Sequence, residues 1–195
     1  MNRKEITKFL TELLVLDKLT DRKYYAKEVS IDYGTNKVKR VDVMQFEPLG
    51  VFHVSDIEKG KFICYEIKSC KQDIYSGNGL NFFGDENYIV TTAETYKKLM
   101  DDGDLSDGTL VNYVKENYPE SSTNFGFMIA VPKSVDGRSC NLVYQELENP
   151  TPLNDIREFK MIKINCGHAL TKRDRSLVEL MFCMLRAKHN YSNRS

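Results

Sequence analysis

The segment Phe62-Ile63-Cys64-Tyr65-Glu66-Ile67 constrains the fold more than any other stretch of the chain. Side chains alternate along a strand, so Phe62 and Cys64 share one face while Ile63, Tyr65 and Ile67 share the other. Both faces are apolar. A strand covered on both sides belongs inside a sheet that carries helices on each face, which is the arrangement of an α/β protein. The rest of the chain supplies the parts. Residues 4–18 have Ile6, Phe9, Leu10, Leu13, Leu14 and Leu16 at helical spacing. Thr20 and Asp21 read as the cap of a short helix over residues 22–27. Val29, Ile31 and Tyr33 then alternate with polar residues, Gly34-Thr35-Asn36 reads as a turn, and residues 38–46 read as a returning strand.

Further on, residues 47–60 read as a loop-like connection, 69–76 as a helical turn and 88–90 as a short strand. Residues 93–100 and 109–118 read as helices on either side of an acidic loop at 101–108. Residues 125–131 form a strand stopped by Pro132. Residues 142–147 and 159–164 read as later strands, and 176–189 as a closing amphipathic helix. The expected fold is therefore α/β, a mixed central sheet flanked by helices. A length of 195 residues fits one domain, with a core over about residues 20–150 and the segment 159–190 packed on it.

No apolar run reaches the roughly 20 residues needed to span a bilayer, and the charged start Met-Asn-Arg-Lys-Glu is not a signal-peptide core. Five widely spaced cysteines without a C-x-x-C pair suit reduced thiols, mostly packed inside a cytoplasmic protein. The net charge of zero conceals an uneven distribution. Residues 1–40 sum to +4, residues 41–168 to −8 and residues 169–195 to +4. Basic ends around an acidic middle suit carboxylates that hold metal ions between surfaces that meet an anionic polymer, and equally suit solvated helix faces. Overall neutrality argues only against strong, nonspecific, metal-free binding of nucleic acid.

Chemistry enters at Asp42 and at Glu66-Ile67-Lys68. Glu66 and Lys68 share a face at the end of an apolar strand, and Asp42 lies between Val41 and Val43 on the preceding one. Charges in such places are costly unless paired with one another or bound to a metal. If the two strands pair, Asp42 and Glu66 converge on one divalent cation with Lys68 beside it. Hard carboxylate oxygens suit Mg²⁺ or Mn²⁺. Such an ion polarises a phosphodiester and activates water, while a lysine stabilises developing charge. Acid-x-Lys alone is weak, since Asp21-Arg22-Lys23 and Glu158-Phe159-Lys160 also match it; the apolar strand and the upstream Asp42 set the Glu66 example apart. A structural Glu–Lys pair is the competing reading.

This pattern resembles the PD-(D/E)XK nuclease superfamily. The run Tyr65-Glu66-Ile67-Lys68-Ser69-Cys70-Lys71-Gln72-Asp73 resembles its branch of MmcB-like DNA-repair nucleases, in which a V-E-I-K-x-S-x-x-D-F-like segment is followed by a strand ending Y-x-V, here Tyr88-Ile89-Val90. The likeness spans about residues 24–132. It implies a restriction-endonuclease-like core and a Mg²⁺- or Mn²⁺-dependent deoxyribonuclease. Asp42 and Glu66 would hold the metal and Lys68 would be the catalytic lysine. It also implies a supporting acid, for which Glu28 is best placed, and support from Gln72 or Asp73. Such enzymes act on DNA in repair or in mobile-element metabolism, and often as homodimers. Two departures stand out. Val41 rather than Pro precedes Asp42, and the stretch between Asp42 and Glu66 is long, so Glu47, Asp56 and Glu58 compete for the role of first acid.

The run Ser76-Gly77-Asn78-Gly79-Leu80-Asn81 reads as a loop able to approach a DNA backbone through its glycines, with Asn78 and Asn81 as contacts. It lacks the Lys of a phosphate-binding P-loop. Lys71, Lys172, Arg173 and Arg175 are further candidates for phosphate contact. The cluster Asp101, Asp102, Asp104 and Asp107 misses calcium-loop spacing and reads as a solvated acidic loop. Cys166-Gly167-His168 is too sparse for zinc. Two other readings of the chain stand beside the nuclease: a non-catalytic DNA-binding module on the same fold, and an interaction domain in which Glu66 and Lys68 form a structural ion pair.

Overall fold

A computed structural model describes residues 1–19, 24–50, 53–137, 139–164 and 173–192. Helix α1 (Arg3–Leu14) begins at a reciprocal cap. Asn2 Oδ1 accepts from the Glu5 N–H at 3.0 Å, and Glu5 Oε2 accepts from the Asn2 N–H at 2.7 Å. A wider π-type turn (Val15–Leu19) follows, and its Asp17 carboxylate accepts from the Met161 N–H at 2.9 Å. Six strands then build one sheet in the order of the chain: β1 (Tyr24–Ile31), β2 (Lys39–Glu47), β3 (Lys61–Ile67), β4 (Glu86–Thr92), β5 (Gly126–Pro132) and β6 (Phe159–Ile164). β1, β2 and β3 are antiparallel in turn, β3, β4 and β5 run parallel, and β6 returns antiparallel to β5. The protein is therefore α/β with a mixed sheet, as the two-sided β3 required.

The two faces of β3 divide as its alternation predicts. Ile63, Tyr65 and Ile67 join the cluster under α1, with Phe9, Leu10 and Leu13. Phe62 and Cys64 join a cluster on the opposite face with Leu180, Cys183 and Met184 of helix α7 (Leu177–Ser192). Along the same face, Ile89, Phe127 and Ile129 pack under α4 (Ala93–Asp101), α5 (Thr109–Asn117) and α6 (Cys140–Glu148). Helices thus cover both faces. Two short helices, α2 (Val54–Glu58) and α3 (Lys71–Ile74), lie in connections. Among the described residues no helix is long and apolar enough to cross a membrane.

Several expectations need correction. The described part of the short helix expected over residues 22–27 is strand instead; residues 24–27 open β1, where Tyr25 packs on the α1 side and Ala26 on the α7 side, an alternation only a strand gives. Residues 142–147 are helix α6, not strand. Val143 and Leu147, four apart, both face the core while Leu142 and Tyr144 are exposed, which is a helical stripe. The connection at 47–60 contains α2. The acidic loop is not wholly solvated, because Asp104 is buried and accepts from the Tyr75 hydroxyl at 2.7 Å while pairing with Lys71 at 2.8 Å. Among the described cysteines, Cys64 and Cys183 are buried, Cys70 is partly exposed and Cys140 is exposed; Cys166 and His168 lie outside the described residues.

Candidate active site

The register of the first three strands brings acids into a row. In the β1–β2 ladder the pairs run from Tyr24↔Phe46 to Ile31↔Lys39, and the position where Glu28 faces Asp42 is the only one skipped. The β2–β3 ladder ends at Val43↔Tyr65, one step before Asp42 and Glu66 would oppose one another. Both strands turn at this step. Ala26 and Val29 of β1 face the same α7 cluster although they are three apart, and so do Val41 and Met44 of β2. Glu28 absorbs the rotation with φ +55°, a left-handed conformation that is uncommon for a residue with a side chain.

Because β2 and β3 part here, backbone groups are left without ladder partners, and side chains fill the gap. Asp42 Oδ2 accepts from the Ile67 N–H at 2.8 Å. The Asn81 side-chain amide donates to the Arg40 carbonyl at 2.8 Å, and the Asn81 backbone N–H donates to Glu66 Oε1 at 3.1 Å. Glu66 is fully buried, yet its second oxygen, Oε2, has no hydrogen-bond partner. Lys68, 4 % exposed, continues along β4 through its N–H to the Val90 carbonyl, and its ammonium donates to the Asn78 carbonyl.

The segment between α3 and β4 covers this group. Leu80 and Phe82 enter the cluster under α4 and α5, Phe83 enters the α7 cluster, and Asn81 is laid against Glu66 between them. Gly77 and Gly79 have φ +77° and +66°. At Gly79 a Cβ would stand 3.0 Å from Glu66 Oε2 and 3.4 Å from Lys68 Nζ, so backbone approaches the buried charges where only glycine fits. Beside this segment opens a cleft of about 730 Å³, whose walls include Asp42, Lys68, Asp73, Asn78, Gly79 and Tyr118, with Glu28 and Arg40 at its β1–β2 side.

The electrostatics follow from burial. Desolvation raises Glu66 well above the ordinary glutamate range. The charge on Asp42 raises it further, and Lys68 opposes both. The protonated Glu66 carboxyl is held by a hydrogen bond to the Asp42 carboxylate, so Oε2 lacks a partner only when Glu66 is ionised. Burial also raises Asp42, against the Ile67 N–H and the charges of Lys68 and Arg40. Glu28 is raised by burial too, reinforced by Asp42, although Arg40 Nε lies 2.7 Å from its carboxylate. Carboxylates pressed together in this way are relieved either by taking up a proton or by binding a cation.

The other anticipated residues take varied places. Asp73 lines the cleft, accepts from the Ser69 N–H and hydroxyl at 3.0 Å each, and pairs with Arg3 at 3.1 Å; it fixes the turn that follows β3. Gln72 is exposed on α3 and is not part of the cleft wall. Lys71 is engaged with Asp102 and Asp104. Arg173 pairs with Asp85 at 2.6 Å, and Arg175 with Asp32 at 2.7 Å and Glu179 at 2.8 Å, so both cations tie the chain before α7 to the body of the protein. Lys172 lies outside the described residues. Asn81 is buried as a brace, whereas Asn78 is exposed at the cleft. The rival first acids stand apart from the cleft: Glu47 pairs with Lys61 at the other end of β2, and Asp56 and Glu58 belong to α2. Sequence reasoning missed Tyr118 and the brace made by Asn81; the Gly-Asn-Gly run was the signal for the latter.

Among the described residues no group of three or more His, Cys, Asp or Glu side chains is arranged to hold a metal ion. Compared with protein-family models, with curated proteins and with solved structures, the chain finds no match.

Proposed function

We propose that the protein is a metal-dependent deoxyribonuclease of the PD-(D/E)XK type, acting on DNA in the cytoplasm, in repair or mobile-element metabolism. The carrying observation is the buried Glu66 Oε2, without a donor and covered by Gly79, directly behind the cleft that Asp42 and Lys68 line. A divalent cation answers that orphaned oxygen. Asp42 and Glu66 would hold Mg²⁺ or Mn²⁺, hard ions that accept as few as one or two carboxylates and keep water for the remaining positions. When bound, such an ion polarises a phosphodiester and lowers the pKa of a bound water.

The chain's own groups prepare the rest. The Ile67 and Asn81 N–H groups hold one oxygen of each carboxylate, which fixes both acids before anything binds. The Lys68 ammonium, anchored on the Asn78 carbonyl, keeps two further N–H groups for a phosphate oxygen whose charge grows as the nucleophile adds. Lys39 at the cleft supplies positive charge for the flanking backbone, while Arg40 is paired with Glu28.

Purified protein is expected to cleave DNA with Mg²⁺ or Mn²⁺ and to lose that activity, by about a hundredfold or more, in Lys68→Ala. Cleavage by Lys68→Ala at the wild-type rate refutes the assigned mechanism. A second reading, a non-catalytic DNA-binding module, is favoured by the way Gly79 covers Glu66 and Asn78 occupies Lys68. Salt-dependent DNA binding without cleavage, on single-stranded, duplex and branched substrates, selects it.

A further inference from the structure

Two polar side-chain atoms are buried without a partner among the described residues: Glu66 Oε2 and the Tyr118 hydroxyl. They flank one site, since Tyr118 lines the cleft together with Gly79 and Lys68, and Gly79 stands directly over Glu66 Oε2. Tyr118 ends α5, donates its backbone N–H to the Val114 carbonyl at 2.8 Å, and is 5 % exposed. Its ring stands edge-on to Tyr113 at 6.2 Å. The Tyr113 hydroxyl is near enough to perturb it, but makes no hydrogen bond of sound geometry with it and already accepts from the Gly77 N–H at 3.0 Å.

Buried tyrosine hydroxyls ordinarily find partners, because leaving one unmade forfeits the hydration it had in water. Here the loss recurs at two buried atoms beside one cleft, with Tyr118 in its wall and Glu66 behind Gly79. One is an acceptor, which suits a cation. The other carries an O–H, which suits an anion. An ion-paired ligand, negative where it meets Tyr118 and Lys68, satisfies both demands at once, and a phosphodiester with its counter-ion has that chemistry.

We propose that Tyr118 is a substrate-contacting residue whose hydroxyl donates to a non-bridging phosphate oxygen in the cleft, next to the Lys68 ammonium. The inference deepens the nuclease reading and rests on it for the identity of the ligand. It adds a neutral donor to the charged one, so the phosphate is oriented by two walls: the end of β3 and the end of α5.

The test is Tyr118→Phe, which removes one oxygen. Three readouts are combined: thermal stability without ligand, metal-dependent cleavage, and binding of a short fluorescein-labelled DNA strand in EDTA, as the phosphodiester and as its uncharged methylphosphonate. The expected result is an unchanged or higher melting temperature, phosphodiester binding weakened roughly tenfold, and methylphosphonate binding, which keeps one non-bridging oxygen but no charge, weakened less. Cleavage should fall by at least the same factor. A lowered melting temperature shows that the hydroxyl has a structural partner and overturns the proposal; so does wild-type affinity for the phosphodiester. Tyr118-dependent binding in a wild-type protein that never cleaves sinks the nuclease reading and sustains the Tyr118 contact. Undiminished binding by Tyr118→Phe, where the wild type does cleave, sinks the Tyr118 contact and sustains the nuclease reading. A wild-type protein that neither binds nor cleaves DNA overturns both.

Discussion

Glu66→Gln should stabilise the metal-free protein while abolishing the proposed nuclease activity. In the wild type, Oε1 is satisfied by the Asn81 N–H, and once Glu66 is ionised Oε2 faces Asp42 and Gly79 with no donor. Glutamine keeps an oxygen for Asn81 and replaces the orphan with an amide that can donate toward Asp42. The gain is the cost of one unsatisfied buried acceptor, about 1–3 kcal/mol. For a chain of this size 1 kcal/mol moves the melting temperature by roughly 2–4 °C, so the expected rise is about 2–12 °C. The sign depends on pH. Glu66 is an acid whose folded pKa is raised, so the folded protein binds the proton more tightly than the unfolded chain does. Stability attributable to Glu66 then falls as pH climbs from the ordinary glutamate range through the folded value, and is lost fully only above it. The advantage of Gln is accordingly largest in alkaline buffer and shrinks as pH falls toward the ordinary glutamate range. Urea unfolding in EDTA across that interval measures it. A Gln variant less stable than wild type at pH 8, or equally displaced at every pH, refutes the account of a desolvated, unpartnered carboxylate.

Two glycines of the covering segment separate strain from contact. Alanine at either Gly77 or Gly79 should cost about 1–2 kcal/mol for the left-handed backbone alone. Only Gly79→Ala also presses on Glu66 and Lys68, since nothing lies within 4 Å of a Cβ at Gly77. Mn²⁺ affinity, read by calorimetry, should therefore fall in Gly79→Ala and hold in Gly77→Ala; equal effects on affinity would contradict the close approach. Arg173→Ala leaves Asp85, which also accepts from the Phe62 N–H at 2.8 Å, without its cation, and should cost about 1–3 kcal/mol of stability. The salt dependence of DNA binding should stay as it was in Arg173→Ala, and a shallower slope would return Arg173 to the nucleic-acid surface.

What the sequence disclosed was local or periodic. The two apolar faces of Phe62–Ile67 specified a covered strand, and strand pairing then carried Asp42 toward Glu66. The residue spacing of α6 contained its helical stripe, but the apolar run Leu142–Tyr144 hid it, since Leu142 and Tyr144 are exposed. Glu28 was anticipated as a supporting acid, but its left-handed turn depends on how β1 and β2 rotate together. Charge counts could not reveal that Arg173 and Arg175 find Asp85 and Asp32, partners that only tertiary packing brings near. Tyr118 had no signal at all. It reaches the cleft because α5 and β3 are assembled on one sheet, and nothing around it in sequence distinguishes it from the other tyrosines.

The segment over Glu66 is pinned in two hydrophobic clusters at once, through Leu80 and Phe82 on one side and Phe83 on the other. Lifting it would expose three large apolar side chains, at about 1.5–3 kcal/mol each, or roughly 5–9 kcal/mol together. Such a state is occupied by fewer than about one molecule in a thousand. The segment behaves as masonry rather than as a door. A ligand of the proposed site would have to enter the cleft without that segment lifting, and the proposed turnover should be insensitive to solvent viscosity insofar as viscosity reports a moving flap.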